Sequence, residues 1–420
     1  MDFVSLMSGV RMRLVGKSSI LTGSAGLVLA ILVLSGCSGE EGDSRHSADH
    51  WDVKIGSVAP LSGPQSHLGA DNENGARLAI DDANTQDIRL GGKPVHFELL
   101  SEDDAADPRT ATIVAQKLVD DGVNGVVGHL NSGTTIPAAR IYADEGIPQI
   151  SPSATNPKYT HQGFPTAFRV MANDEQQGQV LGQFAVHVAD ARTMAVIDDA
   201  TAYGQGLANE FEKAASRQGA RVLLHEHTDD HSTDFSAILT RIKARQPDLI
   251  FFGGMDAQSG PMLKQLRELD LKSVFLTGDG GCSKEFFELA GEASEGSFCS
   301  LPGLPLEEMP KGRDFKHRFE ARFGAIQDYA PYSYDAVGAL IAAMKKADSP
   351  LPERYLPYLK TLEYPGVTAL IRFDVHGDLA GGAVTVYRWH QGIRVPVRED
   401  ASTGSQLGIR SGVDKNGAGK

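Results

Sequence analysis

Two short segments of this chain are dense in hydroxyls and exposed backbone: His129-Leu130-Asn131-Ser132-Gly133-Thr134-Thr135 and Ser151-Pro152-Ser153-Ala154-Thr155. Ser132 to Thr135 also opens a helical pattern running toward Tyr142. Its free N–H groups and the positive end of the helix dipole would favour a carboxylate. Most Ser and Thr residues in such places are simply N-caps, but two such loops at adjacent strand ends raise the case for a binding site. Gly278-Asp279-Gly280 is a third candidate. A turn residue between glycines would satisfy the same pattern, yet a loop that follows a parallel strand favours a ligand role for Asp279.

Other chemistries fit less well. His225, His227 and His231, with Glu226, Asp229 and Asp230, could suggest a metal site. His225 and His227 share a strand face, but the others precede a helix beginning near Asp234, so a solvated acidic loop is expected, with no metal or other cofactor. Gly16-Lys17-Ser18 is no phosphate loop, because Arg11 stands where the first glycine must be. No Gly-x-Ser-x-Gly elbow precedes a helix and no cysteine is left over as a nucleophile, so an enzyme is not expected.

The elements that must position these loops alternate β-rich runs with helical patterns. Strands are expected at 53–58, 96–100, 125–128, 148–150, 194–197, 222–225, 249–253, 274–276, 296–299, 368–373 and 384–387. Ala111, Val114, Ala115, Leu118 and Val119 mark one helical face, and Phe235, Ile238, Leu239 and Ile242 another. Asp107-Pro108 supplies an N-cap and first-turn proline, and Gly122 a stop. Repeated βαβ units with nearly continuous apolar strands imply parallel sheets covered on both faces, an α/β fold. In such sheets ligands bind beyond the carboxyl ends of the strands, where the hydroxyl-rich loops and Pro60-Leu61-Ser62-Gly63-Pro64 lie.

The N-terminus carries an address. Arg11, Arg13 and Lys17 form a basic region, an apolar run follows, and Leu34-Ser35-Gly36-Cys37 closes it, in the order of a secretory signal. The apolar run falls short of the ~20 residues a membrane span needs. Resemblance of this tetrapeptide to the bacterial lipobox implies cleavage before Cys37 and lipidation of its thiol. Residues 1–36 are then a lipoprotein signal peptide and 37–50 a flexible tether, with Met12 an alternative start. The formal charge is −14; losing Arg11, Arg13, Lys17 and Asp2 deepens it to −16, which argues against nucleic acid as a partner. The length beyond the signal suggests two domains, and residues 399–420, nearly devoid of apolar side chains, read as a disordered tail. Of three cysteines, Cys282 and Cys299 remain. Neighbouring strands could bring them together as a disulfide, which an oxidising compartment favours over two buried thiols.

Six blocks resemble, in order and spacing, the branched-chain amino-acid binding proteins of ABC importers. They are Leu61-Ser62-Gly63-Pro64, Val127 to Thr134, Ser151 to Pro157, Tyr203-Gly204-Gln205-Gly206, Asp234-Phe235-Ser236 and Gly278-Asp279-Gly280. The resemblance runs from about Val53 to Trp389. It implies a type I periplasmic binding protein fold, with two Rossmann-like lobes joined by three hinge crossovers and closing on a ligand. Lobe 1 would hold residues 51–170 and 301–373, and lobe 2 residues 171–300 and 374–398.

The resemblance also implies roles. Ser132, by hydroxyl and backbone N–H, and Thr155 would hold an α-carboxylate, and the carbonyl of Ser153 would accept from the α-ammonium. Asp279 would pair with that ammonium from the other lobe, with Tyr203 at the same end. Leu68 and Met255, at positions often aromatic in close family members, and Tyr329 would wall the side-chain pocket. Ala106 and Asn131 stand where some members carry a disulfide. The expected function is a periplasmic, lipid-anchored, monomeric receptor that captures an aliphatic L-amino acid and docks on an ABC permease and its ATPase. A sensory receptor of the same fold, binding an amino acid, amide or other small solute, is the alternative.

Overall fold

The computed structural model describes residues 50–398. The expected signal peptide, Cys37, almost all of the expected tether and the expected C-terminal tail lie outside the described residues. Among the described residues, no helix is long and apolar enough to cross a membrane.

The strand runs assemble into two large sheets. The first contains β1 (Trp51–Ala59), β2 (Arg89–Leu90), β3 (Lys93–Asp103), β4 (Gly125–Gly128), β5 (Gln149–Ser151) and β6 (Ala167–Arg169), in the order β2-β3-β1-β4-β5-β6. The second contains β7 (Thr193–Asp198), β8 (Arg221–His227), β9 (Leu249–Gly253), β10 (Val274–Thr277) and β11 (Phe298–Pro302). After β12 (Tyr364–Pro365) and β13 (Leu370–Ile371), which form a small pair of their own, β14 (Val384–His390) and β15 (Ile393–Pro396) join it. Its order is β15-β14-β11-β10-β9-β7-β8.

Helices cover both faces of each sheet, as strands apolar on both sides require. They are α1 (Ser66–Asn84), α2 (Pro108–Asp120), α3 (Ser132–Asp144), α4 (Asp174–His187), α5 (Ala202–Arg217), α6 (Ser236–Lys243), α7 (Asp256–Glu268), α8 (Lys284–Ala290), α9 (Gly312–Phe323), α10 (Ala330–Ala347) and α11 (Pro352–Lys360). On the first sheet, Ile55 and Phe97 pack with Ala76 of α1 and Leu340 of α10, while Val58 and Val126 pack with Leu118 of α2 and Tyr142 of α3. On the second, Phe251 stacks on Phe211 of α5, ring centroids 4.1 Å apart. The alternate residues Ile250 and Phe252 face Leu239 of α6 and Leu263 of α7. Successive side chains of β9 thus enter different cores.

The chain passes between the two sheets three times: after β6, after β11, and before β14. This is the type I periplasmic binding protein architecture. Two details differ from expectation. The sheets are mostly but not wholly parallel, because β2 runs antiparallel to β3 in the first, and in the second β14 runs antiparallel to β11 and β15 antiparallel to β14. Gln391-Gly392, both with positive φ (49° and 77°), make the two-residue turn that such a hairpin demands. The strand expected at 368–373 is reduced to the short β13, because Val367 N and Thr368 N donate to the Asp335 carboxylate at 2.6 and 2.8 Å instead of to a ladder.

Candidate binding site

The carboxyl ends of the two sheets face a small cleft with about 10 Å³ of free space, lined by Leu130, Asn131, Ser132 and Ser153, by Tyr203, Met255, Asp279 and Gly280, and by Tyr329. Six of the eight residues expected at a ligand site therefore line one space: Ser132, Ser153, Tyr203, Met255, Asp279 and Tyr329. Leu68 and Thr155 are buried but do not line it. Thr155 instead takes the amide of Asp174 on its carbonyl at 2.9 Å.

The first-sheet wall is a helix N-terminus. Ser132 is the first residue of α3, where an α-helix leaves its opening amides without intrahelical partners. The Ser132 hydroxyl accepts from Asn156 N at 3.2 Å, which ties the two hydroxyl-rich loops together. Ser153 Oγ donates to the carbonyl of Leu130 at 3.0 Å and accepts from Asn72 Nδ2 at 3.2 Å.

The opposite wall is built around Asp279, in the turn that follows β10. Its Oδ1 accepts from Tyr203 Oη at 2.9 Å and Gln177 Nε2 at 3.0 Å, and its Oδ2 from Tyr329 Oη at 2.8 Å. Burial pushes the Asp279 carboxyl above its ordinary range, and the donors from Gln177, Tyr329 and Tyr203 offset that only in part. The glycines on either side are there for close approach. A Cβ at Gly278 would lie 2.2 Å from Leu207 Cδ2, and one at Gly280 2.7 Å from Met255 Sδ.

Supporting residues that local sequence patterns did not single out hold this arrangement. Asp71 of α1 is buried and accepts the backbone amides of Gln327, Asp328, Tyr329 and Ala330 at 2.7–3.1 Å, which seats Tyr329 at the start of α10. Gln177 is oriented by Ser300 Oγ, 2.8 Å from its Oε1. His67 of α1 reaches Asp256 of α7, Nε2 to Oδ2 2.8 Å, beside Met255. The only signal for Asp71 was an acidic side chain at helical spacing from Leu68 on a buried face.

A wider groove of about 470 Å³ runs past Leu301, Leu304, Leu306, Tyr332 and Arg394 and shares Tyr329 with the cleft. It includes the N-terminus of α10, but the amides of Gln327 to Ala330 there are already taken by Asp71, so the smaller cleft, with the open N-terminus of α3, is the better ligand site. Elsewhere, Cys282 and Cys299 are joined as a disulfide, their Cα atoms 5.4 Å apart.

Residues 52–392 match the periplasmic binding protein family. The Leu/Ile/Val-binding protein homolog 1 of Brucella suis is 36% identical over 344 residues, 81% of this chain and 91% of that protein. The leucine-, isoleucine-, valine-, threonine- and alanine-binding protein of Pseudomonas aeruginosa is 34% identical, covering 81% of this chain and 90% of that protein. Among solved structures, a leucine binding protein of Thermotoga maritima superposes with a TM-score of 0.77 at 26% identity, over 82% of this chain and 98% of that one.

Proposed function

The chain belongs to the periplasmic binding protein family, and from that premise we propose that it captures a branched-chain L-amino acid and delivers it to an ABC importer. Family membership makes it an extracytoplasmic solute-binding protein rather than an enzyme. The observation that carries the reading is the pairing of unlike charges across the cleft: the N-terminus of α3 at Ser132 on one side, the Asp279 carboxylate on the other. A zwitterion fits that field. Its carboxylate would take the Ser132 amide and hydroxyl, with Thr155 joining as the cleft rearranges. Its ammonium would meet Asp279, the Tyr203 hydroxyl and the Ser153 carbonyl. Leu68, Met255 and Tyr329 would border the aliphatic side chain.

Closure is the mechanism we infer. Tyr329, fixed by Asp71, touches Asp279, and His67 touches Asp256, so contacts already link the two sides. A ligand bound between them would stabilise the closed arrangement by its differential contacts, strengthened as water is excluded. Lobe 1 would comprise 51–170 with 301–373, and lobe 2 171–300 with 374–398. Lipidation at Cys37 would hold the receptor at the membrane beside its permease. Calorimetric titration of refolded, ligand-free protein with the standard amino acids, small amides and purines tests the reading. Binding at about −8 kcal/mol or better, micromolar Kd, confined to aliphatic L-amino acids supports it. Binding of amides or purines with no response to any amino acid overturns it.

A further inference from the structure

At the outer edge of the second sheet three side chains converge that the amino-acid cleft does not use. His225 and His227 lie two residues apart on β8, so their imidazoles leave the strand on one face, and the parallel register sets Asp198 of β7 opposite His227. His225 Nε2 and His227 Nδ1 each stand 2.8 Å from the same atom, Asp198 Oδ2. The three potential ligand atoms all lie within 4.8 Å of one another. The carboxylate is fixed from its other side, where Oδ1 accepts from Ala200 N at 2.9 Å. Behind His225, Glu212 Oε2 is 2.8 Å from Nδ1, which holds a proton there and presents Nε2 inward.

We propose that Asp198, His225 and His227 form a binding site for a divalent transition-metal ion of the zinc type, with Glu212 as the residue that orients His225. Two imidazoles and one carboxylate, with further positions left to water, suit Zn²⁺ or Ni²⁺ rather than Mg²⁺ or Ca²⁺, which take oxygen ligands. A carboxylate behind a ligating imidazole is the arrangement that fixes tautomer and ring direction in metal sites. His225 has a carboxylate at each ring nitrogen, Glu212 outside and Asp198 inside, and a cation would sit between its Nε2 and Asp198. The burial suits the role: the Asp198 side chain is 1% exposed and anchored, while His227 is 59% exposed and leaves an approach for the ion and its waters. His231, the next histidine in sequence, stands apart at 89% exposed, beside Asp230. The ion would tie edge strand β8 to β7, away from the residues assigned to the amino acid.

The test is calorimetric titration of tag-free, chelator-stripped protein with ZnCl₂ and with MgCl₂ at neutral pH. One equivalent of zinc and no heat from magnesium are expected. His225→Ala should abolish the zinc heat. His227→Ala, at an exposed position where the fold is not at stake, should weaken binding about tenfold or more, and Glu212→Gln about tenfold through loss of orientation. His390→Ala, outside the site, should change nothing. Absence of zinc binding by the parent, or an isotherm unchanged in the His225→Ala/His227→Ala double variant, overturns the proposal.

Discussion

Tyr329 donates its hydroxyl to Asp279 Oδ2 at 2.8 Å while its own backbone amide donates to Asp71 at 2.7 Å. One tyrosine thus connects the helix pair that packs on the first sheet to the turn that ends β10 of the second. Its ring position is set by a buried carboxylate on α1, and its hydroxyl helps satisfy the carboxylate that would meet the ligand. Tyr329→Phe keeps the ring and removes only the donor. We expect amino-acid affinity to fall by ~1.5–3 kcal/mol, the worth of a hydrogen bond to a charged group, read by calorimetry. Asp279→Ala should cost more, ~3–5 kcal/mol, because it leaves the ligand ammonium buried without a charged partner.

Met255 closes the other side of the same space, its sulfur pressed toward Gly280. A flexible thioether adapts to several shapes, so Met255→Tyr should reorder ligands by side-chain size. Competition among valine, leucine and phenylalanine should show relative affinities shifted by ~1–3 kcal/mol.

Asp378 and Arg169 provide a pH signature. Arg169 is fully buried and reaches Asp378 Oδ1 with Nε at 2.9 Å and Nη2 at 2.7 Å, joined there by Thr160 Oγ1 at 2.9 Å. Burial raises the Asp378 carboxyl, but the Arg169 charge and hydrogen bonds outweigh it and hold the pKa below the ordinary range. A carboxylate more acidic in the folded state contributes stability that is fully present above its unfolded pKa of about 3.9 and is lost as pH falls through the folded value. Thermal unfolding from neutral pH downward should show the parent losing stability below about pH 4. Asp378→Asn should be destabilised at neutral pH and should lose less on acidification.

The Cys282–Cys299 bond closes a loop with a sequence separation of 17. Loop-closure entropy of that size is worth ~3 kcal/mol. Reductant should therefore lower the unfolding midpoint of the parent and leave that of a Cys282→Ala/Cys299→Ala variant where it is.

Much of this was legible locally. The run Leu249–Gly253 is a strand with the expected ends. Asp107 caps α2 by accepting from Arg109 N and Thr110 N at 3.0 and 2.7 Å, as Asp-Pro suggests. The glycine-flanked Asp279 lies at a strand end facing the hydroxyl-rich loops. What was not legible depends on partners far along the chain. Strand direction in β14 follows from a return through the other side of the molecule, which no apolar pattern encodes. The Asp71 cradle and the His67–Asp256 contact join residues 256–259 and 189 positions apart. The His225 and His227 pair was visible, but Asp198, the carboxylate that completes the cluster, comes from the neighbouring strand by register.

The central claim is that the cleft reads a zwitterion, with Asp279 taking the ammonium. Its most direct test compares leucine with 4-methylpentanoate, which keeps the carboxylate and side chain and lacks only the ammonium, by calorimetry on ligand-free protein. We predict that leucine binds with a Kd at or below about micromolar and the analogue more weakly by roughly two orders of magnitude or more. Equal affinity for the two would contradict the account, since Asp279 would then have no part in recognition.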